Sequence, residues 1–204
     1  MFVIPNGVGK PFSPQSQRAI EETLARYGIK APFFLFVGTL EPRKNLGGLF
    51  DAWKDAQMKL PGYSLVVAGE AGAVFRGKGF SAIPPNSQFL GYVPDADLPA
   101  LYAGAQALIA PSLYEGFCLP ALEAMACGTP VIASNAASLP EVTDGAAFLV
   151  SPMEPRQISA AMQLLAENKT LANQYRERGL AQTQKFNWEG AAEKLQALFK
   201  SLYD

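Results

Sequence analysis

The chain has 204 residues, of which 49% are hydrophobic and 17% are charged, and its formal net charge is −1. This composition excludes a disordered chain, and the length favours one domain built around one core. The lack of a basic excess argues against a dedicated nucleic-acid binder, and Pro, Gly or a charge interrupts each apolar run before it reaches the length of a bilayer. Two cysteines, Cys118 and Cys127, do not form a disulfide framework, and the N-terminus lacks the pattern of a secretory signal. We therefore expect a cytoplasmic protein without a transmembrane segment.

Short apolar runs alternate with amphipathic segments of helical length. The strands that this pattern predicts are Phe33–Val37, Ser64–Ala68, Ala107–Ala110, Pro130–Ala133 and Ala147–Val150. The predicted helices are Gln15–Tyr27, Asn45–Leu60, Asp97–Gly104, Leu119–Cys127 and Arg156–Glu167. After them, Lys169 to Asp204 predicts two terminal helices broken near Phe186–Trp188, and the glycine-rich segment Gly69–Pro85 predicts a mobile loop. The alternation predicts a single Rossmann-like α/β domain over residues 1–204, with a mostly parallel sheet covered by helices on both faces.

Ligands of an open parallel sheet bind beyond the carboxyl ends of its strands, so the loops that follow strands hold the candidate site. In the first of these loops, Gly38 ends a predicted strand and leaves the backbone open to a ligand. Arg43 and Lys44 come just before a predicted helix. This pair could be ordinary solvated surface, but two cations at a helix N-terminus are unfavourable unless an anion joins them. The loop therefore predicts a diphosphate site.

The loop after the third predicted strand carries two carboxylates. Glu115 lies in the loop itself, and Glu123 lies in what we expect to be the first turn of the next helix. The backbone N–H groups of Phe117, Cys118 and Leu119 are expected to be open, so they could donate to sugar hydroxyls while Glu115 accepts from them. Glu123 could accept from both hydroxyls of a ribose. The plainer alternatives are that Glu115 is an exposed loop carboxylate and that Glu123 interacts with the helix dipole.

The two loops should meet at one edge of the sheet, and their combined chemistry predicts a nucleotide-sugar site. Other classes of protein fit less well. Asp95 and Asp97 have the D-x-D spacing of some metal sites, but Asp97 is expected to cap the helix that follows it. The glutamate pair would suit a glycosidase, which leaves Arg43 and Lys44 without a role. The glycines after the first strand lack the G-x-G-x-x-G spacing of a dinucleotide-binding oxidoreductase.

Four stretches of the sequence together resemble one enzyme family. They are VIPNGV at Val3–Val8, FVGTLEPRKNL at Phe36–Leu46, EGFCLPALEAMACGTPVIAS from Glu115 with its E-x7-E spacing, and SLPEV at Ser138–Val142. The set is similar to the retaining glycosyltransferases of family 4, which have the GT-B fold. The likeness covers nearly the whole chain and implies that it is the C-terminal, donor-binding half of such an enzyme.

The resemblance implies a role for each candidate residue. Gly38, Arg43 and Lys44 would hold the donor diphosphate, and Glu123 would hold the ribose. Glu115, the catalytic residue, would hold the transferred sugar together with the amides of the next loop residues. The base would lie mainly against the backbone of Gly91, Tyr92 and Val93. The family implies no metal and no cofactor.

Two positions depart from the family pattern. Thr39 stands where many relatives carry Arg. The role of that arginine at the diphosphate would then pass to Arg43. Cys118 stands where relatives commonly have Gly, and its side chain would narrow the hexose pocket. The T-L-E-P-R-K-N version of the first loop resembles mannosyltransferase-like members, which favours GDP-mannose as the donor.

The expected partners follow from the same resemblance. An N-terminal domain of the same enzyme would hold the acceptor, any peripheral membrane contact would run through that half, and the present chain would not transfer sugar alone. Because the chain contains no histidine, a mechanism that needs a histidine base would have to take it from elsewhere. The alternative function is a stand-alone nucleotide-sugar-binding or regulatory module without turnover.

Overall fold

A computed structural model describes residues 2–70 and 83–203 of the chain. It contains a six-stranded sheet in the order β3-β2-β1-β4-β5-β6, in which each neighbouring pair is parallel. The strands are β1 Phe33–Val37, β2 Ser64–Ala68, β3 Ser87–Gly91, β4 Ala107–Ala110, β5 Val131–Ser134 and β6 Phe148–Val150. This architecture confirms the predicted α/β class with a parallel sheet.

Helices cover both faces of the sheet. The described residues form α1 Gln17–Arg26, α2 Leu46–Lys59, α3 Leu98–Gly104, α4 Leu119–Ala126, α5 Leu139–Thr143, α6 Pro155–Glu167, α7 Lys169–Thr183 and α8 Trp188–Tyr203, with a 3₁₀ turn at Pro42–Lys44. The predicted break between the two terminal helices is present. No helix in the described ranges has both the length and the apolar character needed to cross a bilayer.

Two elements were not predicted, and one prediction cannot be compared with the structure. The strand β3 has only half-buried residues and begins with Ser87 and Gln88, so it lacks the apolar run of the other strands. The helix α5 has five residues, too few for a periodic pattern. Most of the loop predicted at Gly69–Pro85 lies outside the described residues.

The core consists of two layers, one on each face of the sheet. Phe33 and Leu35 of β1 pack beneath α1, α3 and α4, whereas Phe34 and Phe36 pack beneath α2 and α6. Successive residues of a strand point to opposite faces, and here both faces are covered. Each such side chain stabilises the fold by about 1.5–3 kcal/mol when it leaves water. This burial explains why the central strands are continuous apolar runs.

Asp97 occupies the expected N-terminal position of α3, but its carboxylate does not cap the helix. Instead it accepts hydrogen bonds from Tyr27 Oη at 2.7 Å and from Arg26 Nη1 at 2.6 Å. These hydrogen bonds lower the pKa of Asp97 although burial opposes them. The capping prediction was therefore wrong in its chemistry, because Asp97 instead connects the end of α1 to α3.

The sheet order reverses between β1 and β4, which are adjacent although β2 and β3 separate them in the sequence. At such a point the connections leave the strands in opposite directions and open a crevice at the carboxyl edge. The loops that follow β1 and β4 flank this crevice. They are the two loops that carry the predicted site residues.

Candidate functional site

The loop after β1 folds Lys44 back over the end of its own strand. Gly38 has a φ of +153°, and a Cβ built on it would lie 3.5 Å from Lys44 Cε. The Lys44 side chain thus packs on the space where a larger residue would place its own side chain. Lys44 is 8% exposed, a low value for a lysine. A β-carbon at position 38 would therefore make ordinary van der Waals contact with the lysine, and it is the backbone φ of +153° that favours glycine here.

Asn45 fixes this loop against its neighbours. Its backbone is left-handed, with a φ of +55°, and its side-chain amide donates to the carbonyls of Pro111 at 3.1 Å and Pro152 at 2.7 Å. Gly48 leaves space for that amide, since an added Cβ would come 2.7 Å from Asn45 Oδ1. The loops after β1, β4 and β6 are consequently held together at one edge of the sheet.

Glu115 lies at the centre of the crevice and is 6% exposed. Its Oε1 accepts from Lys44 Nζ at 2.5 Å and from Ser112 Oγ at 2.7 Å, and its Oε2 accepts from Arg43 Nη1 at 2.9 Å. The structure thus brings together the cations and the carboxylate that the sequence placed on separate loops. The alternative of an exposed loop carboxylate is wrong, because both oxygens of Glu115 are engaged.

Glu41 supplies a second negative charge to the cluster. Its carboxylate accepts from Arg43 Nε at 2.8 Å. Burial opposes the charge of Arg43, but the hydrogen bonds and charges of Glu41 and Glu115 outweigh it and raise the pKa of the guanidinium. Arg43 and Lys44 therefore do not lack an anion until a ligand arrives, as the sequence had suggested, because the chain itself provides two carboxylates. An anionic ligand must compete with these carboxylates for Arg43.

Three serines hold the backbone around Glu115. Ser138 Oγ donates to the carbonyl of Glu115 at 2.9 Å, and Ser134 Oγ donates to the carbonyl of Ser112 at 2.6 Å. Ser112 itself donates to the Glu115 carboxylate. Ser112 follows β4, Ser134 ends β5 and Ser138 lies directly before α5, and none of the three was predicted. Small hydroxyl residues just after neighbouring strands were the signal that could have identified them.

The segment that leads into α4 presents three open amides. Within residues 2–70 and 83–203, the backbone N–H groups of Phe117, Cys118 and Leu119 donate no hydrogen bond. Cys118 has a left-handed backbone, with φ +71° and ψ +67°, directly before the helix. Its side chain is buried in the core, where burial raises the pKa of the thiol to about 11. The side chain packs in the core, and the expectation that it narrows the hexose pocket stays a prediction.

Glu123 lies at the start of the second turn of α4, and not in the first turn as expected. The helix begins at Leu119, so Glu123 is its fifth residue and belongs to the second turn. The effect of the helix dipole falls off within the first turn, which weakens the alternative role at the helix end. Glu123 Oε2 accepts from the hydroxyl of Tyr102 at 2.9 Å. Burial raises the pKa of Glu123, Tyr102 opposes this rise, and the charge of Asp95 adds to it.

The segment predicted to contact a base lies at the end of β3. Gly91 has a φ of +70°, and its carbonyl accepts from the amide of Gly69 at 2.7 Å. Tyr92 is 65% exposed, whereas Val93 is buried in the core. Two strand spacings separate β3 from β1, which is about 10 Å along the edge.

A cavity of about 560 Å³ opens beside the second loop. Its lining includes Asn6 of the N-terminal segment, Gly116 and Phe117 of the loop, and Ser138 and Glu141 near the start of α5. Arg43, Lys44 and Glu115 are not among its lining residues. The cation–carboxylate cluster therefore lies next to this cavity and not inside it.

Comparisons with known proteins identify the family. Residues 20–182 match the family described as Glycosyl transferases group 1. The chain belongs to this family. The matched range contains each predicted site residue from Gly38 to Glu123.

Individual relatives agree with this assignment. The O-antigen chain mannosyltransferase B of Escherichia coli is 37% identical over 201 residues, which cover 94% of this group 1 chain and 52% of the relative. A sucrose-phosphate synthase from Thermosynechococcus elongatus superimposes with a TM-score of 0.82 at 28% identity, over 99% of this chain and 52% of the other. The chain thus spans about half the length of these two relatives.

A third likeness concerns the fold alone. The C-terminal domain of LpcC, a group 1 glycosyl transferase family protein from Francisella tularensis, superimposes with a TM-score of 0.73 at 24% identity. The superposition covers 86% of this chain and 95% of that domain. The parallel sheet described above is therefore the architecture of a domain-sized piece of a group 1 glycosyltransferase.

Proposed function

We propose that this chain is the donor-binding, C-terminal domain of a retaining family 4 glycosyltransferase, and that its donor is GDP-mannose. The observation that carries this proposal is the meeting of Arg43, Lys44 and Glu115 at the crevice between β1 and β4. Family membership supports the reaction class, and the relative named as a mannosyltransferase supports the sugar. The T-L-E-P-R-K-N loop supports the same choice of donor.

The proposed roles follow from the chemistry of each group. Lys44 and Arg43 donate charge-assisted hydrogen bonds to the diphosphate, which is also the leaving group. Negative charge grows on the diphosphate as the glycosidic bond breaks, so cations fixed beside it favour the transition state. Glu115 accepts from hydroxyls of the mannose, and Glu123 accepts from the ribose. The base rests on the backbone of Gly91–Val93 and beside Tyr92.

The sugar also meets the open amides of Phe117, Cys118 and Leu119. The left-handed backbone of Cys118 turns the chain into α4 and leaves these donors without protein partners in the described structure. Backbone amides hold their positions better than flexible side chains, which suits them to orient a hexose. No metal or cofactor is assigned to the site, because Arg43 and Lys44 can supply positive charge to a diphosphate that displaces their carboxylate partners.

The acceptor is assigned to an N-terminal domain of the same enzyme, since the chain spans about half of its relatives. Transfer requires donor and acceptor in near-attack geometry with water excluded. The open crevice of one domain provides neither condition, so the isolated chain is expected to bind the donor without transferring its sugar. We place the complete enzyme in the cytoplasm, with any membrane contact made through the other domain.

Calorimetry with GDP, UDP and their mannose and glucose conjugates, with and without EDTA, tests the proposal. Lys44→Ala should weaken GDP binding by about 1.5–3 kcal/mol, the value of a hydrogen bond to a charged group. Lys54→Ala is a matched control, because Lys54 lies on an exposed face of α2 and pairs with Asp51. Absence of nucleotide binding would refute the donor site. A preference for UDP would refute only the donor identity, and binding that vanishes with EDTA would refute the metal-free assignment.

The second candidate function is a stand-alone module that binds a nucleotide sugar without turnover. The open crevice favours it as much as it favours a half-enzyme. A complete protein with an N-terminal domain that releases GDP from GDP-mannose in the presence of an acceptor would decide for the enzyme.

A further inference from the structure

Tyr102 is a fully buried residue of α3 whose hydroxyl reaches a carboxylate on another helix. Its Oη donates to Glu123 Oε2 at 2.9 Å, and burial raises the pKa of the phenol, which therefore stays protonated and donates. The ring meets Phe12 edge to face with 6.1 Å between centroids. The carbonyl of Tyr102 accepts from Thr129 Oγ1 at 2.6 Å. Ring, backbone and hydroxyl are thus all held in place.

The packing of the Tyr102 ring does not require its hydroxyl group. A phenylalanine would fill the same core volume without placing a polar atom in an apolar layer. Burial of a hydroxyl is tolerated when it finds a partner, and here the partner is Glu123. In the described part of the chain, Tyr102 is the one residue whose side chain donates a hydrogen bond to the Glu123 carboxylate. Oε1 therefore keeps both lone pairs, and Oε2 keeps one.

We propose that Tyr102 is a positioning residue for ribose recognition: it fixes the carboxylate of Glu123 so that its remaining lone pairs accept from the 2′- and 3′-hydroxyls of a nucleotide. This inference rests on the proposed role of Glu123 at the ribose. Tyr102 does not touch the ligand itself. It acts through the orientation and the charge of the glutamate.

Tyr102 also affects the pKa of Glu123, together with the charged and titratable groups around that carboxylate. Asp95 precedes α3, and Cys118 and Cys127 lie at the two ends of α4. Burial raises the pKa of both thiols, to about 11 and about 12, whereas the charge of Asp95 raises the pKa of Glu123. Burial and Asp95 both favour a protonated Glu123, and the Tyr102 hydroxyl opposes them. Removal of the hydroxyl should therefore raise the pKa of Glu123.

The test compares GDP with 2′,3′-dideoxy-GDP in calorimetry at several pH values. The ratio of the two affinities reports the contribution of the ribose hydroxyls. In Tyr102→Phe this ratio should fall by about five- to tenfold, a part of the value of a charged hydrogen bond. In the wild type the ratio should fall on acidification as Glu123 is protonated, and in the variant that fall should occur at higher pH. A lost packing contact would weaken both nucleotides equally and leave the ratio and its pH profile unchanged.

Tyr27→Phe is the matched control, because it also removes a phenol–carboxylate hydrogen bond, the one from Tyr27 to Asp97 at 2.7 Å. It should leave the ratio of the two affinities unchanged.

Should Tyr102→Phe not fold, site-specific 3-fluorotyrosine at position 102 provides a second variant. It keeps the shape of tyrosine and is a stronger hydrogen-bond donor, so the pH profile of the ratio should move to lower pH.

The outcomes separate the two proposals. An unchanged ratio in Tyr102→Phe, or an unmoved profile with 3-fluorotyrosine, overturns the inference and leaves the donor site standing. A wild type that binds GDP and dideoxy-GDP equally overturns the ribose role of Glu123 together with the inference. A wild type that binds neither overturns the proposed function as well.

Discussion

Replacement of Glu115 by glutamine should destabilise the empty domain and strengthen its binding of GDP. The substitution removes the negative charge that lies between Lys44 and Arg43 and keeps one oxygen that can accept from Ser112. The side chains of Lys44 and Glu115 are only 10% and 7% exposed. Loss of one partner of a buried ion pair costs about 3–5 kcal/mol. Because glutamine keeps an acceptor, we expect about 3 kcal/mol, which leaves a domain of ordinary stability folded.

The effect on the ligand follows from charge balance. In the wild type Arg43 and Lys44 are neutralised by Glu41 and Glu115, so a diphosphate has to displace a carboxylate from at least one cation. In Glu115→Gln that competition is weaker, and GDP affinity should rise by about tenfold, which is about 1.4 kcal/mol. The additional affinity that mannose provides in GDP-mannose should fall, because Glu115 is its proposed hydroxyl acceptor.

Urea unfolding with and without GDP, together with calorimetry on GDP and GDP-mannose, measures both effects. Glu41→Gln is the control: Glu41 pairs with Arg43 at a site where both side chains are about two-fifths exposed, 40% and 44%, so its removal should change stability and affinity much less. The reasoning is refuted if Glu115→Gln binds GDP no better than the wild type. That result is expected if Glu115 contacts only the sugar and does not compete with the diphosphate for Arg43 and Lys44.

Three further predictions concern pH, backbone strain and turnover. Burial raises the pKa of Glu123 in the folded state above its unfolded value of 4.5. The stability that its neutral form contributes is therefore fully present below pH 4.5 and is lost as the pH rises through the folded pKa. The unfolding free energy of Glu123→Gln should therefore increase relative to that of the wild type as the pH rises above 4.5; a constant difference would contradict this. Cys118→Gly should be more stable than Cys118→Ala by about 1 kcal/mol in denaturant unfolding, because both lose the thiol but only alanine keeps a β-carbon in the left-handed conformation. The isolated chain should transfer no sugar to a panel of saccharide and lipid acceptors, and turnover at roughly 1 per second or faster would refute the half-enzyme proposal.

The sequence predicted the central strands well because each is buried on both faces. The bounds of β1, β2 and β4 agree with the prediction to the residue, and each is an apolar run that no other element type of that length explains. The edge strand β3 could not be found in the same way. Its residues are half-buried, and it is a strand because it pairs with β2, a contact that its own composition does not indicate.

The same distinction applies to the site. The rule that ligand-binding loops follow parallel strands was enough to bring Arg43, Lys44 and Glu115 to one edge, since it depends only on strand order. It could not show that Lys44 and Glu115, which are 71 residues apart, pair with each other in the empty domain. Side-chain pairing depends on the relative positions of the two loops in the folded domain. The local sequence pattern of each loop does not determine those positions.

The consequence for function is that the charges of a candidate site cannot be counted from its cations alone. Arg43 and Lys44 viewed in the sequence are two unmatched positive charges, which would attract any polyanion. In the fold each has a carboxylate partner, so the cluster is close to neutral and an anion gains only if it also compensates the displaced carboxylate. A nucleotide sugar does this, because its hydroxyls can donate to Glu115 while its phosphates take the cations. Inorganic phosphate carries no sugar, so the same cluster should hold it more weakly than its two cations suggest.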